Sequence, residues 1–383
     1  MQFTISKERL LPALLMVNGV IPRNPKQPAL THMLLKVEGE KLILIGTDLD
    51  VQIQTSISEF KPLVGEVASF TLPSRKLTDI CRNLDDNSDV KFDIGESRTI
   101  IRSGRSRYTL THLSGENFPA MKSTAEMAQD SDTTSLRLTL KESDVRNLLA
   151  KTQFCMATQD VRSYLNGLML EFNARQIHAV ATDGHRLAVY SIENSNPTDT
   201  LLDRQIIIPR KSVAELFRLL EEGSEQQVTL ELSDKSFSLY FGASIFTSGL
   251  IDSRYPDYAD VIPKESDSSL YMVVNSEKLR NSLIRASVLS NEKYRGIRFT
   301  LSDNQLSLTI NNMEQEEAQE DMGVEFNSEQ PFEIGFNISY LIEILNVIGS
   351  GDVLFMFPDS ESTSLITPKD NTQLKYAIMP MQI

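Results

Sequence analysis

The residues best suited to chemistry lie in one short run, Ala181-Thr182-Asp183-Gly184-His185-Arg186-Leu187-Ala188. There, a carboxylate two positions before an imidazole could orient a general base. The competing reading is conformational, an aspartate closing an Asx turn that breaks a long strand. No glycine-rich phosphate loop, His-Glu-x-x-His or nucleophile elbow occurs in the 383 residues. The other histidines, His32, His112 and His178, stand at no ligand spacing. Cys81 and Cys155 sit among apolar residues, so neither a structural zinc nor a disulfide framework is expected. Metal and cofactor are both expected to be absent.

The choice between base and turn depends on the elements that carry the run, and these repeat. Phe3-Thr4-Ile5, Leu138-Thr139-Leu140 and Met272-Val273-Val274, at offsets of 135 and 134 residues, each alternate as a strand does. Each then leads into apolar residues four apart: Leu10 and Leu14, Val145 and Leu149, Leu279 and Leu283. Leu42 to Asp48, Ile177 to Asp183 and Leu306 to Asn312 align as alternating strands, which puts Asp183 in the place of Asp48 and Asn312. A second helix follows in each copy, with its buried face at Leu77, Ile80 and Leu84, at Val213, Leu216 and Leu220, and at Leu341, Ile344 and Ile348. The fold class is α+β: three repeated domains, each with two helices on antiparallel sheets. Polar stretches at Lys122 to Ser135 and Asp257 to Ser269 set the boundaries at 1–128, 129–260 and 261–383. The loop from Glu193 to Arg204 falls inside the second repeat.

The chain carries a net charge of −14, which by itself argues against a polyanionic partner. The six helices with their first turns nevertheless hold fourteen basic and nine acidic residues, a balance of +5 that leaves −19 elsewhere. Either these are ordinary solvated faces or they form a basic binding surface. Two further runs oppose in sign, Arg102 to Arg107 in the first repeat and Glu314 to Asp321 in the third. They read as exposed strand ends or as a head-to-tail contact between chains, which closes a ring when the rotations sum to a full turn. The longest apolar runs, such as Leu10 to Val17, fall short of a membrane span. The charged N-terminus lacks a secretory core, so a cytoplasmic location without membrane attachment is expected. The apolar tail Tyr376 to Ile383 suits either core or an adaptable peptide-binding surface.

Taken together, SGRSR (Ser103 to Arg107), DICR (Asp79 to Arg82), QDVRSYLNG (Gln159 to Gly167), ATDGHRLA, IPRK (Ile208 to Lys211), RYPDY (Arg254 to Tyr258), LSNEKYRGIR (Leu289 to Arg298), EQEEA and MPM resemble the bacterial beta sliding clamp family, the beta subunit of DNA polymerase III. The resemblance runs the full length of the chain in the family's order. It implies a non-enzymatic, ring-shaped homodimer that encircles double-stranded DNA without sequence preference. It further implies that the ring tethers the polymerase III alpha subunit, the clamp loader complex, and other polymerases and repair proteins through short linear peptides.

By the same resemblance, Arg23, Asn24, Arg75, Gln159, Ser163 and Tyr164 would contact DNA, with Arg82, Arg146, Arg210 and Lys211 as further inner basic residues. Asn24 stands where the family often has arginine, and Ser163 where tyrosine can stand. The partner pocket would use Leu165, Thr182, Gly184, His185, Arg186 and Leu187, then Pro256 and Val261, then Asn337, Tyr340 and Thr363, and finally Ala377, Met379, Pro380 and Met381. Asp260 stands there where a basic residue can occur in the family, and Glu361 where an apolar one can. The ring interface would bring Lys76, Arg105, Arg107, Tyr108 and Leu110 against Val288, Leu289, Gln315, Glu316 and Glu320. A peptide-binding scaffold that never touches DNA and an enzyme using Asp183 and His185 remain open as rivals.

Overall fold

The computed structural model describes residues 2–58, 61–64, 68–124, 136–194, 204–264, 270–290, 295–312 and 314–382. Positions 125–135 of the first predicted linker, 265–269 of the second, the excursion at 195–203 and positions 291–294 of the LSNEKYRGIR motif lie outside the described residues.

Six α-helices occur among the described residues, each entered directly from a strand. They are α1 (Lys7–Asn18) after Gln2–Ser6, α2 (Ser74–Arg82) after Ala68–Pro73, α3 (Glu142–Ala150) after Leu136–Lys141, α4 (Arg210–Leu219) after Arg204–Pro209, α5 (Ser276–Ala286) after Leu270–Asn275, and α6 (Ile338–Ile348) after Phe332–Asn337. The change from strand to helix is written locally. Asn275 and Asn337 accept hydrogen bonds from the Lys278 and Ser339 backbone N–H groups, satisfying donors that the first helical turn leaves free. Pro73 and Pro209 end the strands before α2 and α4. The apolar spacing seals the helices to the core: Leu10, Leu14, Leu77, Leu279, Leu283 and Leu341 are all buried. Each such side chain contributes about 1.5–3 kcal/mol.

The chain divides into two compact units, residues 1–143 with 214–250, and residues 144–213 with 251–383. The first holds a five-stranded and a nine-stranded sheet. There α1 packs on α2 and on the strands Lys41–Thr47 and Val51–Ser58. A Cβ at Gly46 would fall 2.6 Å from Val17 Cγ1, so only glycine lets this helix approach so closely. The second unit holds a nine-stranded and a four-stranded sheet, with α5 against α6 and a core around Phe299, Phe336 and Phe355. All of the paired strands are antiparallel among the described residues.

The units do not follow the sequence repeats, because each nine-stranded sheet joins two of them. In the first unit Val51–Ser58 pairs with Ser244–Gly249, in the register Ser244 to Thr55. In the second, Arg186–Glu193 pairs with Leu374–Ile378, in the register Arg186 to Ile378. The second repeat thus gives strands to both units.

Candidate functional site

Asp183 closes a turn. Its Oδ1 accepts from the backbone N–H of His185 at 2.9 Å and of Arg186 at 3.0 Å, while Oδ2 accepts from Arg186 Nε at 3.1 Å. Thr182 Oγ1 donates to the Arg186 carbonyl and accepts from Gly184 N–H. The same bonds recur at Thr47 and Asp48, which serve Leu49, Asp50 and Val51. Asn312 serves Glu316 in the third repeat, one residue further on. The carboxylate therefore orients Arg186 and not the exposed His185 ring, and the acid–base reading of this pair has no geometry to stand on.

Arg186 is itself buried, its side chain 7% exposed, and ion-paired with both Asp183 and Glu343, the latter at 2.6 Å. It donates to the Phe154 carbonyl at 3.0 Å. Its guanidinium lies 5.2 Å from the Phe154 ring centre and 4.3 Å from that of Tyr340, a stacked cation. It forms part of the wall of a cavity of about 230 Å³.

Eleven of the fifteen residues expected in a partner pocket line that cavity: Leu165, Thr182, Gly184, His185, Arg186, Leu187, Pro256, Val261, Thr363, Ala377 and Met379. Of the other four, Tyr340 covers Arg186, Asn337 caps α6, and Pro380 and Met381 line neighbouring cavities. Gly184 has φ +90°, a left-handed conformation that glycine adopts without strain. Sequence reasoning did not assign Arg162, Tyr255, Asp257 and Tyr258 to this wall, although RYPDY carried three of them. Tyr164, expected on the DNA side, also lines the cavity, edge-on to Tyr255 at 6.1 Å. Behind the wall, Met169, Val180, Ile207 and Tyr255 form a buried apolar cluster, and this burial pushes the Tyr255 hydroxyl well above the usual phenol range. Tyr258 donates to Glu171 Oε2 at 2.6 Å. Such a cavity, apolar at its base with a few fixed polar groups, suits the apolar side chains of an extended peptide.

The basic residues differ in how far they reach into solvent. In the first unit Arg23, Asn24, Arg75 and Arg82 are exposed, Arg82 lying 3.5 Å from Asp79. Lys7, counted with the basic helices, is instead buried, donating to the Leu84 carbonyl and pairing with Asp86 at 2.9 Å. In the second unit Gln159, Ser163 and Lys211 are exposed and Arg146 is half-buried. Arg210 is exposed but donates to the Met156 carbonyl at 2.7 Å. Asp160 binds Arg162 Nε and Nη2, and these bonds hold its carboxyl down to about 2.

The expected interface residues sit at sheet edges and helix ends. Lys76, Arg105 and Arg107 are exposed, and Tyr108 and Leu110 half-buried; the strand Ser106–Thr111 ends its sheet. Val288 is 79% exposed and Leu289 half-buried. Gln315 and Glu316 precede the edge strand Glu317–Gly323, on which Glu320 pairs with Arg285.

The remaining candidates are structural. His32, His112 and His178 bond to Thr71, Thr99 and Ser191. Burial raises both thiols, Cys81 to about 11. Among the described residues no group of three or more His, Cys, Asp or Glu is placed to hold a metal, and no helix is long and apolar enough to cross a membrane.

Three family models match this chain in succession: the N-terminal domain of the DNA polymerase III beta subunit at residues 1–122, the central domain at 139–257 and the C-terminal domain at 259–382. The chain belongs to the beta sliding clamp family. The beta sliding clamp of Pseudomonas aeruginosa is 41% identical to it and that of Escherichia coli K12 37%, with each pair covered end to end. Among solved structures, the P. aeruginosa clamp bound to griselimycin matches with TM-score 0.92 at 40% identity. The Caulobacter crescentus clamp matches at 0.89 and 32%, and both matches cover 100% of both chains. The fold of three repeated clamp domains and the function of a DNA sliding clamp follow from this membership.

Proposed function

We propose that this family member works as a head-to-tail homodimeric ring around duplex DNA, without catalysis. The observation that carries the proposal is a pair of strand edges left over by a repeated rule. The strands after the equivalent turns at Asp48 and Asp183 each pair with a strand of the next repeat. Among the described residues the strand after Asn312, Glu317–Gly323, has a partner on one side only, and so does Ser106–Thr111, which follows a two-residue hairpin as Ser244–Gly249 does. Carrying the rule across two copies puts Ser106 opposite Glu320, Arg107 opposite Gln319 and Leu110 opposite Glu316, with Arg105 near Asp321. Of these pairs Arg105 and Asp321 are opposite in charge, which would favour this register.

In that ring Arg23, Asn24, Arg75, Arg82, Arg146, Gln159, Ser163, Arg210 and Lys211 would face DNA. Weak contacts to phosphates permit sliding, while encirclement prevents release. Tyr164 would contribute to the pocket rather than to DNA. The pocket around Leu187 and Met379 would hold linear peptides of the polymerase III alpha subunit, the clamp loader and repair proteins in the cytoplasm. The test is loading onto nicked circular plasmid with a clamp loader and ATP, followed by linearisation. Co-elution with circles and release on cutting is expected; protein that stays on linear DNA would overturn the ring.

A further inference from the structure

We infer that the mouth of the peptide pocket selects partner peptides that carry lysine or arginine beside their apolar core. This rests on the pocket reading above and names its ligand more closely. The 230 Å³ cavity shares Val261, Thr363 and Met379 with a second, more open cavity of about 720 Å³, so a peptide seated in the first has a continuous path into the second. The second cavity is acidic at its walls. Asp260 and Glu361 both line it, both are exposed, and neither has an ion-pair partner among the described residues; Lys264 lines the same cavity, and Arg298, which pairs with Glu333, shares a neighbouring cavity with Glu361. Asp257 adds a third carboxylate at the rim of the first cavity.

The placement of Glu361 is built. Asp359 Oδ1 accepts from the backbone N–H of Glu361 at 2.7 Å and of Ser362 at 2.6 Å, and Ser362 Oγ donates to Oδ2 at 2.8 Å. The turn that carries Glu361 is therefore held against this wall. Asp260 lies on the short helical turn Ala259–Val261, next to Val261, which the two cavities share. The apolar side chains of a peptide would supply most of the affinity from the first cavity. Two exposed carboxylates that form no ion pair among the described residues favour a cationic neighbour and penalise an acidic one, through charge and without desolvation.

The experiment uses the full-length protein and three fluorescein-labelled synthetic peptides that share one leucine- and phenylalanine-containing core. Neutral serine, lysine or glutamate pairs flank the core at both ends, and binding is read by fluorescence polarisation at low and high salt. The lysine peptide is expected to bind about three- to tenfold more tightly than the neutral one at low salt, with the glutamate peptide weaker than both and the spread collapsing at high salt. The double variant D260K/E361K should invert the order, and a cooperative urea unfolding transition like that of the unaltered protein reports that the fold is intact. If the neutral peptide binds and the charged pair makes no difference, or the double variant fails to invert it, the selectivity is refuted while the pocket stands. If no peptide binds and L187D changes nothing, the pocket reading falls and this inference with it.

Discussion

The two junctions between repeats are built alike and finished differently. In the second unit Leu187 faces Ala377 across the junction, and both line an open cavity backed by Met169, Val180 and Tyr255. In the first unit the equivalent cluster is Leu34, Ile45 and Phe118. The position of Leu187 is there taken by Gln52, buried, with Nε2 donating to the Met121 carbonyl at 2.8 Å and Oε1 accepting from Met121 N–H at 2.7 Å. Its neighbours are polar and satisfied as well: Thr247 meets Ser238, which meets Thr124, and Ser244 meets Thr55. Where Gly184 opens the rim of the cavity, Leu49 stands in the same left-handed conformation, φ +82°. The repeat fixes the strand pairing and the turn. A few side chains then decide whether the seam is closed by hydrogen bonds or left as an open cavity.

Replacing Arg186 with alanine should break this comparison most severely. Its counterpart Val51 is an ordinary buried aliphatic, whereas losing Arg186 takes the guanidinium donors from Asp183 Oδ2 and the Phe154 carbonyl. A loss of about 3–5 kcal/mol in urea unfolding is expected, together with loss of peptide binding. Gln52→Leu, which copies the second unit into the first, should cost about 1–3 kcal/mol by orphaning the Met121 backbone groups. It should create no peptide binding in isothermal titration. The reciprocal pair is smaller still. Gly184→Leu should cost about 1–2 kcal/mol through its left-handed backbone and weaken peptides at the rim, while Leu49→Gly should leave stability within about 1 kcal/mol. Equal effects of the two swaps would remove the distinction drawn between the junctions.

Much of this was legible in the residue order. The three strand-to-helix units, the buried helix faces and the equivalence of Asp48, Asp183 and Asn312 all follow from periods of two and about four and from short-range turn chemistry. Eleven residues named from the family motifs line the 230 Å³ cavity, and the two charge runs, read from their opposite sign, fall at the edges of their sheets. Other assignments needed the folded chain. Lys7 looked like one more basic helix residue until Leu84 and Asp86, some eighty residues away, enclosed it. Tyr164 was expected at DNA and turns to Tyr255.

The amino-acid sequence alone determined the order of strand and helix in each repeat and most of the residues that face inward, Ile80 and Ile348 being only half-buried, because those features depend on spacing within a few turns of chain. Tertiary structure alone decided that Gln52 reaches Met121, sixty-nine residues on, and that Arg186 is shared between Asp183 and Glu343. Whether a polar side chain ends in solvent, in an ion pair or in the wall of a cavity is set by what the rest of the fold brings against it, and no local pattern records that.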